Sequence, residues 1–204
     1  MADWHVVENV GRTLVLLIER RIGELAIGGV TVALTTTAAF PALRSTSVPF
    51  VSLFLFQISG NPEMRNRPMQ LGPNGQLRRQ SLPLELCYFI TAWGVRAPND
   101  IASDGVAARE EARLLGAVMQ ALYDNAEVGR SDLFELVGTT VWAPGDGLQI
   151  AMETLPVDQH YRIWDAGEMP YRLSLIYRVR VASLDPSLPP ATPSVVQAQF
   201  EVVP

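Results

Sequence analysis

The side chains equipped for nucleophilic, acid–base or metal chemistry in this 204-residue chain are few: His5, His160, Cys87 and a scatter of carboxylates that includes the adjacent Glu110 and Glu111. A protein metal site draws on His, Cys and carboxylate ligands at short repeated spacings. Here there is no His-x-x-x-His pair and no second cysteine. A single cysteine excludes an intramolecular disulfide, and Cys87, set in an apolar run, reads as a core filler. No Gly-x-Ser-x-Gly elbow is present, and Gly72-Pro73-Asn74-Gly75 is a turn without the Gly-Lys-Ser/Thr sequel of a phosphate-cradling loop. His160 near Asp158 has the composition of a base and its orienter, but such a pair is far more often a surface helix turn. The expectation is a protein without catalytic, cofactor or metal residues.

Arginine is the residue type that carries a distinct chemistry. All 16 basic residues are arginine and none is lysine. A GC-rich genome produces that bias without function; the alternative is that arginine's planar fork suits fixed contacts to carboxylates across an interface. Between Ser59 and Ser81, Arg65, Arg67, Arg78 and Arg79 stand against the single acid Glu63, a net of +3 in a chain of net −5. From Asp100 to Glu168, thirteen acids face four arginines, a net of −9. Such asymmetry is either coincidental surface charge or what a ring subunit needs if its basic loop meets its neighbour's acidic flank. The overall −5 argues against general nucleic-acid or anionic-membrane binding. A second arginine set, Arg172, Arg178 and Arg180, falls on one face of an alternating segment from Tyr171 to Ala182, shared with Ser174 and Ile176, while Tyr171, Leu173, Leu175, Tyr177, Val179 and Val181 form the core face. Like charges on one strand face repel, so the arginines meet either a carboxylate-bearing partner surface or water on a charge-protected edge.

The elements that would position these arginines follow from periodicity. Val6, Val10, Leu14, Leu17 and Ile18 recur at helical spacing over residues 5–22. Gly28-Gly29 ends that pattern, Val30 to Leu34 reads as a short strand, and residues 35–47 stay ambiguous. Phe50 to Ile58 and Leu82 to Trp93 are apolar on both alternating faces, as in central strands covered on two sides, with Pro83 allowed only at a strand's start. The connection between them is longer than most in a compact domain, and such loops are functional or disordered. A helix follows, with Ser103 or Asp104 as its N-cap, Leu115, Val118, Met119 and Leu122 on one face, and its end at Asp124-Asn125. Leu148 to Glu153 alternates as a half-buried strand, and Pro156 to Ala166 forms a short helix with Trp164 in the core.

Asn61-Pro62-Glu63-Met64-Arg65-Asn66 after an apolar strand, then Leu82-Pro83-Leu84-Glu85-Leu86 and Tyr88-Phe89-Ile90-Thr91-Ala92, resembles the tail-terminator, or cap, proteins of phage-tail-like contractile injection systems such as the antifeeding prophage and the virulence-cassette particles. Leu114 to Asn125 looks like that family's central helix, and Trp164 with Tyr171 to Val181 like its closing helix and strand. The likeness spans roughly residues 5 to 184, and it is the order and spacing of the segments that carry it. Ala126 departs from it, relatives tending to have proline there. The resemblance implies a structural, non-enzymatic subunit that forms a ring, hexameric by family analogy, on the distal end of an inner tube, with the tube protein and the sheath protein as partners. Arg65 and Asn66, with Asn61, Arg67, Arg78 and Arg79 around them, are then the first candidate contacts, and Arg172, Arg178 and Arg180 the next. A head-to-tail completion protein or a baseplate adaptor shares that assembly logic. A cytosolic binding or hydrolytic domain with a cleft beside the Ser59 to Ser81 loop is the reading from another class.

With 48% hydrophobic and 18% charged residues, the chain has the apolar surface to fold as one domain. The expected class is α+β, a mixed sheet flanked by helices, over residues 1–184. The start lacks a basic leader and no apolar stretch reaches the ~18 residues of a membrane span, so synthesis and assembly in the cytoplasm are expected, with the particle released or membrane-associated. Residues 185–204 read as a proline-rich linker through Pro193 followed by a strand pattern, in which Val196, Ala198, Phe200 and Val202 alternate with Gln197, Gln199 and Glu201. A strand so tethered can add to the sheet of its own subunit or of another, and the segment is expected to act as an arm that reaches a neighbour.

Overall fold

The structure, a computed structural model, describes residues 4–60, 70–71, 77–78, 81–97, 100–136, 138–166 and 168–184. The helical spacing of the first segment is realised as α1 (Val6–Glu24), whose Val6, Val10, Leu14, Leu17 and Ile18 are all buried. A short edge strand β1 (Thr31–Thr35) and a 3-10 turn lead into the single-turn α2 (Phe40–Leu43), which resolves the ambiguous stretch. The two apolar runs form β2 (Phe50–Gly60) and β5 (Leu82–Trp93), and every residue of β5 from Leu84 onward is buried. The long connection is not loop throughout: β3 (Gln70–Leu71) and β4 (Leu77–Arg78) make a two-stranded ribbon of their own. Then come α3 (Ile101–Asp124), β6 (Glu127–Gly129), β7 (Gly147–Glu153), α4 (Val157–Ala166) and β8 (Ser174–Leu184).

The main sheet has the order β1-β2-β5-β8-β7-β6. β1 runs parallel to β2 and all other pairings are antiparallel, so the sheet is mixed and the class is α+β as expected. Pro83 sits at the start of β5, where the register to β8 shifts between Leu82 and Leu84; the residue that cannot donate to a ladder occupies the place where the ladder skips. A second shift, between Leu55 and Gln57, makes Phe56 the extra residue of β2. Two neighbours, Phe56 and Gln57, thereby turn to one face, and Phe56 meets Phe89 edge-on at 6.2 Å.

Each face of the sheet carries its own core. On one face α1 and α3 pack against each other and onto Leu53, Leu86, Ile90 and Val179, with Leu114, Val118 and Leu122 supplied by α3. Each such side chain contributes about 1.5–3 kcal/mol on burial. Met119, expected on that face, is 41% exposed; Ala117 and Ala121 fill the helix contact in its place. On the other face Phe40 of α2, Phe89 and Trp93 of β5, Ile176 of β8 and Trp164 of α4 form an aromatic cluster with ring centroids 5.4 to 6.0 Å apart among Phe40, Trp93, Trp164 and Phe89. Below the aromatics runs a polar row buried in mid-sheet: Trp93 Nε1 donates to Ser52 Oγ at 2.8 Å, Ser52 Oγ to the Thr91 carbonyl at 3.3 Å, and Thr91 Oγ1 and Ser174 Oγ share a bond of 2.7 Å. These mutual partners remove the cost of burying hydroxyls.

Three sequence expectations shift. The N-cap of α3 is Asp100, whose carboxylate accepts from Ala102 N at 2.9 Å. Ser103 and Asp104 serve the preceding linker instead, Ser103 Oγ accepting from Ala97 N and Asp104 pairing with Arg96. The closing strand begins at Ser174, not Tyr171, because the pairing with β5 stops at Thr91–Ser174; Tyr171 and Leu173, assigned to the core face, are 42% and 60% exposed. Ile176, on the face expected to be wet, is buried because α4 covers it. The expected arm, residues 185–204, lies outside the described residues.

Candidate interaction surface

The loop candidates Asn61, Arg65, Asn66, Arg67 and Arg79 lie outside the described residues, and Arg78 is placed in β4 by its backbone alone. The strand arginines separate into two sites. Arg178 and Arg180 share a face of β8, flanked by β5 and β7, and the carboxylates they meet come from those neighbours. Arg178 Nη1 lies 3.6 Å from Glu85 Oε2 and its Nη2 lies 3.1 Å from Glu153 Oε2, while Arg180 Nε donates to Glu85 Oε1 at 3.2 Å. The Glu85 side chain is 10% exposed and that of Arg180 is 55% exposed. Sequence reading missed Glu85, yet it left a signal: a lone acid between Leu84 and Leu86 in a two-sided apolar strand demands a cation on an adjacent strand. Cys87 lies on the same face, where burial pushes its thiol pKa up against the opposing pull of Arg178.

Arg172 has left the strand. It lies in the segment before β8, with its guanidinium carbon 4.8 Å from the centroid of the Trp93 ring and its Nη1 donating to Glu111 Oε1 at 2.8 Å. Glu111, on α3, is the hub. Its Oε1 also accepts from Gly94 N at 2.9 Å and Arg96 Nη1 at 2.7 Å, and its Oε2 from Arg96 Nη2 at 3.0 Å. Burial pulls the Arg172 pKa down, with the nearby Arg96 charge acting in the same direction; the Glu111 hydrogen bond holds that of Arg96 up. Gly94 makes the joint possible, since a Cβ there would lie 2.7 Å from the Ala107 carbonyl oxygen of α3. The group borders an open cleft of about 1,040 Å³, whose lining includes Arg44, Ile101, Tyr171 and Leu173. Three arginines and three acids, Asp100, Asp104 and Glu111, line it, so the cleft is balanced in charge. No described residue of the Ser59 to Ser81 segment borders it.

His160 is held by rings. Phe89 and Tyr171 lie edge-on at 5.1 and 5.7 Å, and its buried Nε2 has no hydrogen-bond partner among the described residues. Burial lowers its pKa from the usual 6.5. With the folded pKa below the unfolded one, the unfolded chain binds the extra proton, so stability is full above the ordinary histidine range and falls as pH drops through it. Thermal melts of the wild type are expected to fall in Tm between pH 7.5 and 5, and His160→Phe to lose part of that dependence. Among the described residues, no three His, Cys, Asp or Glu side chains are grouped to hold a metal ion.

A model of the family described as the Pvc16 N-terminal domain matches residues 9–198. Among solved structures, the chain is similar to the sheath/tube terminator of PVC, an extracellular contractile injection system, in its extended state. The identity is 17% and the TM-score 0.65, over 100% of this chain and 65% of that one. It is also similar to the tube-terminating cap of the anti-feeding prophage, at 18% identity and a TM-score of 0.51, over 78% of this chain and 50% of that one. The chain thus spans just under two thirds of one relative and half of the other. No curated protein matches it in sequence.

Proposed function

Because the chain belongs to the Pvc16 N-terminal domain family, we propose that it is a structural terminator of a contractile injection system, acting by assembly and not by catalysis. The observation that supports this most directly is the likeness of its fold, along the whole chain, to a sheath/tube terminator. In this reading copies of the chain form a ring, hexameric by family analogy, on the distal end of the inner tube. One face of the ring mimics the next layer and engages the last tube and sheath subunits; the other offers no further docking surface, so polymerisation stops.

The contacts follow from the charges. Arg65 and Asn66, with Asn61, Arg67, Arg78 and Arg79, are the proposed reach of each subunit toward carboxylates of its neighbours, since that segment carries the chain's largest basic excess. Arg172 and Arg178 act mainly within the subunit, pinned by Glu111, Glu85 and Glu153; Arg180, with its side chain 55% exposed, is the strand arginine open to a partner. Among the described residues no helix is long and apolar enough to cross a membrane. The subunit would be made and assembled in the cytoplasm and remain with the particle.

Electron microscopy of particles from cells lacking the gene tests the reading. Overlong or sheathless tubes, returned to uniform length by the wild-type chain, are expected, and Arg65→Ala should restore length control only in part. Particles of normal length and capping in the deletion strain would overturn it.

A further inference from the structure

Among the described residues no strand pairs with the outer edge of β1. Thr31 N donates to the Pro49 carbonyl at 3.0 Å, toward β2, and in a parallel pair alternate residues point both backbone groups to the same side. Val32 and Leu34 therefore present their N–H and C=O outward, away from β2. Natural edges are guarded by charge, proline or bulges. Thr31-Val32-Ala33-Leu34-Thr35 has none of the three. At the end of this edge opens a cavity of about 370 Å³ lined by Trp4, Val7, Leu34, Thr35, Leu55 and Tyr88 among others. Two buried hydroxyls of that lining, Tyr88 Oη and Thr35 Oγ1, have no hydrogen-bond partner among the described residues. Leaving such groups unmet costs about 1–3 kcal/mol each, which main-chain groups of an arriving strand would recover.

We propose that this edge receives the segment 194–204 of a neighbouring copy as an added strand, with Phe200 seated in the cavity. The segment has the alternation that strand addition requires, Val196, Ala198, Phe200 and Val202 on one side and Gln197, Gln199 and Glu201 on the other. A five-residue edge offers far less than the ~1,000 Å² a free partner needs, so its occupant must be tethered nearby at high effective concentration. The direction of β8 selects a neighbour's edge over the chain's own. The row of Thr35 continues through Phe54 and Phe89 to Ile176, eight residues before Leu184, so the chain leaves β8 about 26 Å past the edge and travelling away from it. Pro186, Pro189, Pro190 and Pro193 follow, a composition that favours a stiff extended spacer over a reversal.

The inference rests on the reading of the chain as a ring subunit. Hydrogen exchange at the amides of Val32 and Leu34 in the full-length chain tests it. In the oligomer both are expected to exchange at least about tenfold more slowly than in the chain diluted to monomer, and Phe200→Glu is expected to return them to the fast rate. Fast exchange in the oligomer, slow exchange that survives dilution, or slow exchange in Phe200→Glu would each overturn the arm. An oligomer whose Val32 and Leu34 exchange freely sinks this inference alone, whereas absence of the chain from purified particles sinks the terminator reading.

Discussion

Glu111→Ala is expected to cost about 3–5 kcal/mol of folding stability, measured as a fall in the urea midpoint at constant slope. The carboxylate accepts four hydrogen bonds from three residues, and its loss strands Arg172, whose side chain is 14% exposed and lies over Trp93. Arg96 keeps Asp104, so the penalty falls mainly on Arg172 and the Gly94 amide. Asp104→Ala provides the contrast: at 66% exposure it should lose less than about 1 kcal/mol. Arg172→Met added to Glu111→Ala should return part of the loss, because no unpaired charge then remains buried. Equal costs for Glu111→Ala and Asp104→Ala would show that the joint between β5 and α3 does not depend on this hub.

The second large effect lies on the opposite face of the sheet. Trp164→Ala is expected to cost about 3–5 kcal/mol, because its indole packs against Phe40, Phe89 and Trp93 and is 1% exposed. Trp164→Phe should recover most of that. Its Nε1 has no hydrogen-bond partner among the described residues, so the smaller ring gives up area and none of the bonds described. Amide exchange along α4 should accelerate in the alanine variant before global unfolding, since Trp164 is the one buried residue of that helix. Unchanged exchange in α4 would mean that its backbone connections hold it without the ring.

Much of the framework was legible in the sequence because burial on two sides leaves an unbroken apolar signal. β2 and β5 were readable for that reason, α1 from the helical spacing of its one buried face, and Pro83 marked the start of a strand. The end of alternation in β8 was not readable: Tyr171 and Leu173 continue the pattern, and only the absence of paired residues beyond Thr91 stops the strand at Ser174. Ile176 looked wet because nothing local announces that α4 folds back over it. The strand arginines suggested either a partner's carboxylates or a solvated edge; within the chain Glu85, Glu111 and Glu153, 25 to 95 positions away, pair with them. Contacts of such sequence separation leave no local periodicity. The three-residue β6 and the turn of α2 were too short to show one.

Cys87 offers a practical consequence. Thiol-directed reagents act on the thiolate at accessible sites, and this sulfur is shielded, with burial raising its pKa against the pull of Arg178. A cysteine introduced at an exposed position, for example in place of Ser45, would then be the faster-reacting thiol, and brief maleimide treatment would put one dye on each subunit without removing the native residue. Counting bleaching steps on single assemblies of the labelled chain would give the number of copies in each.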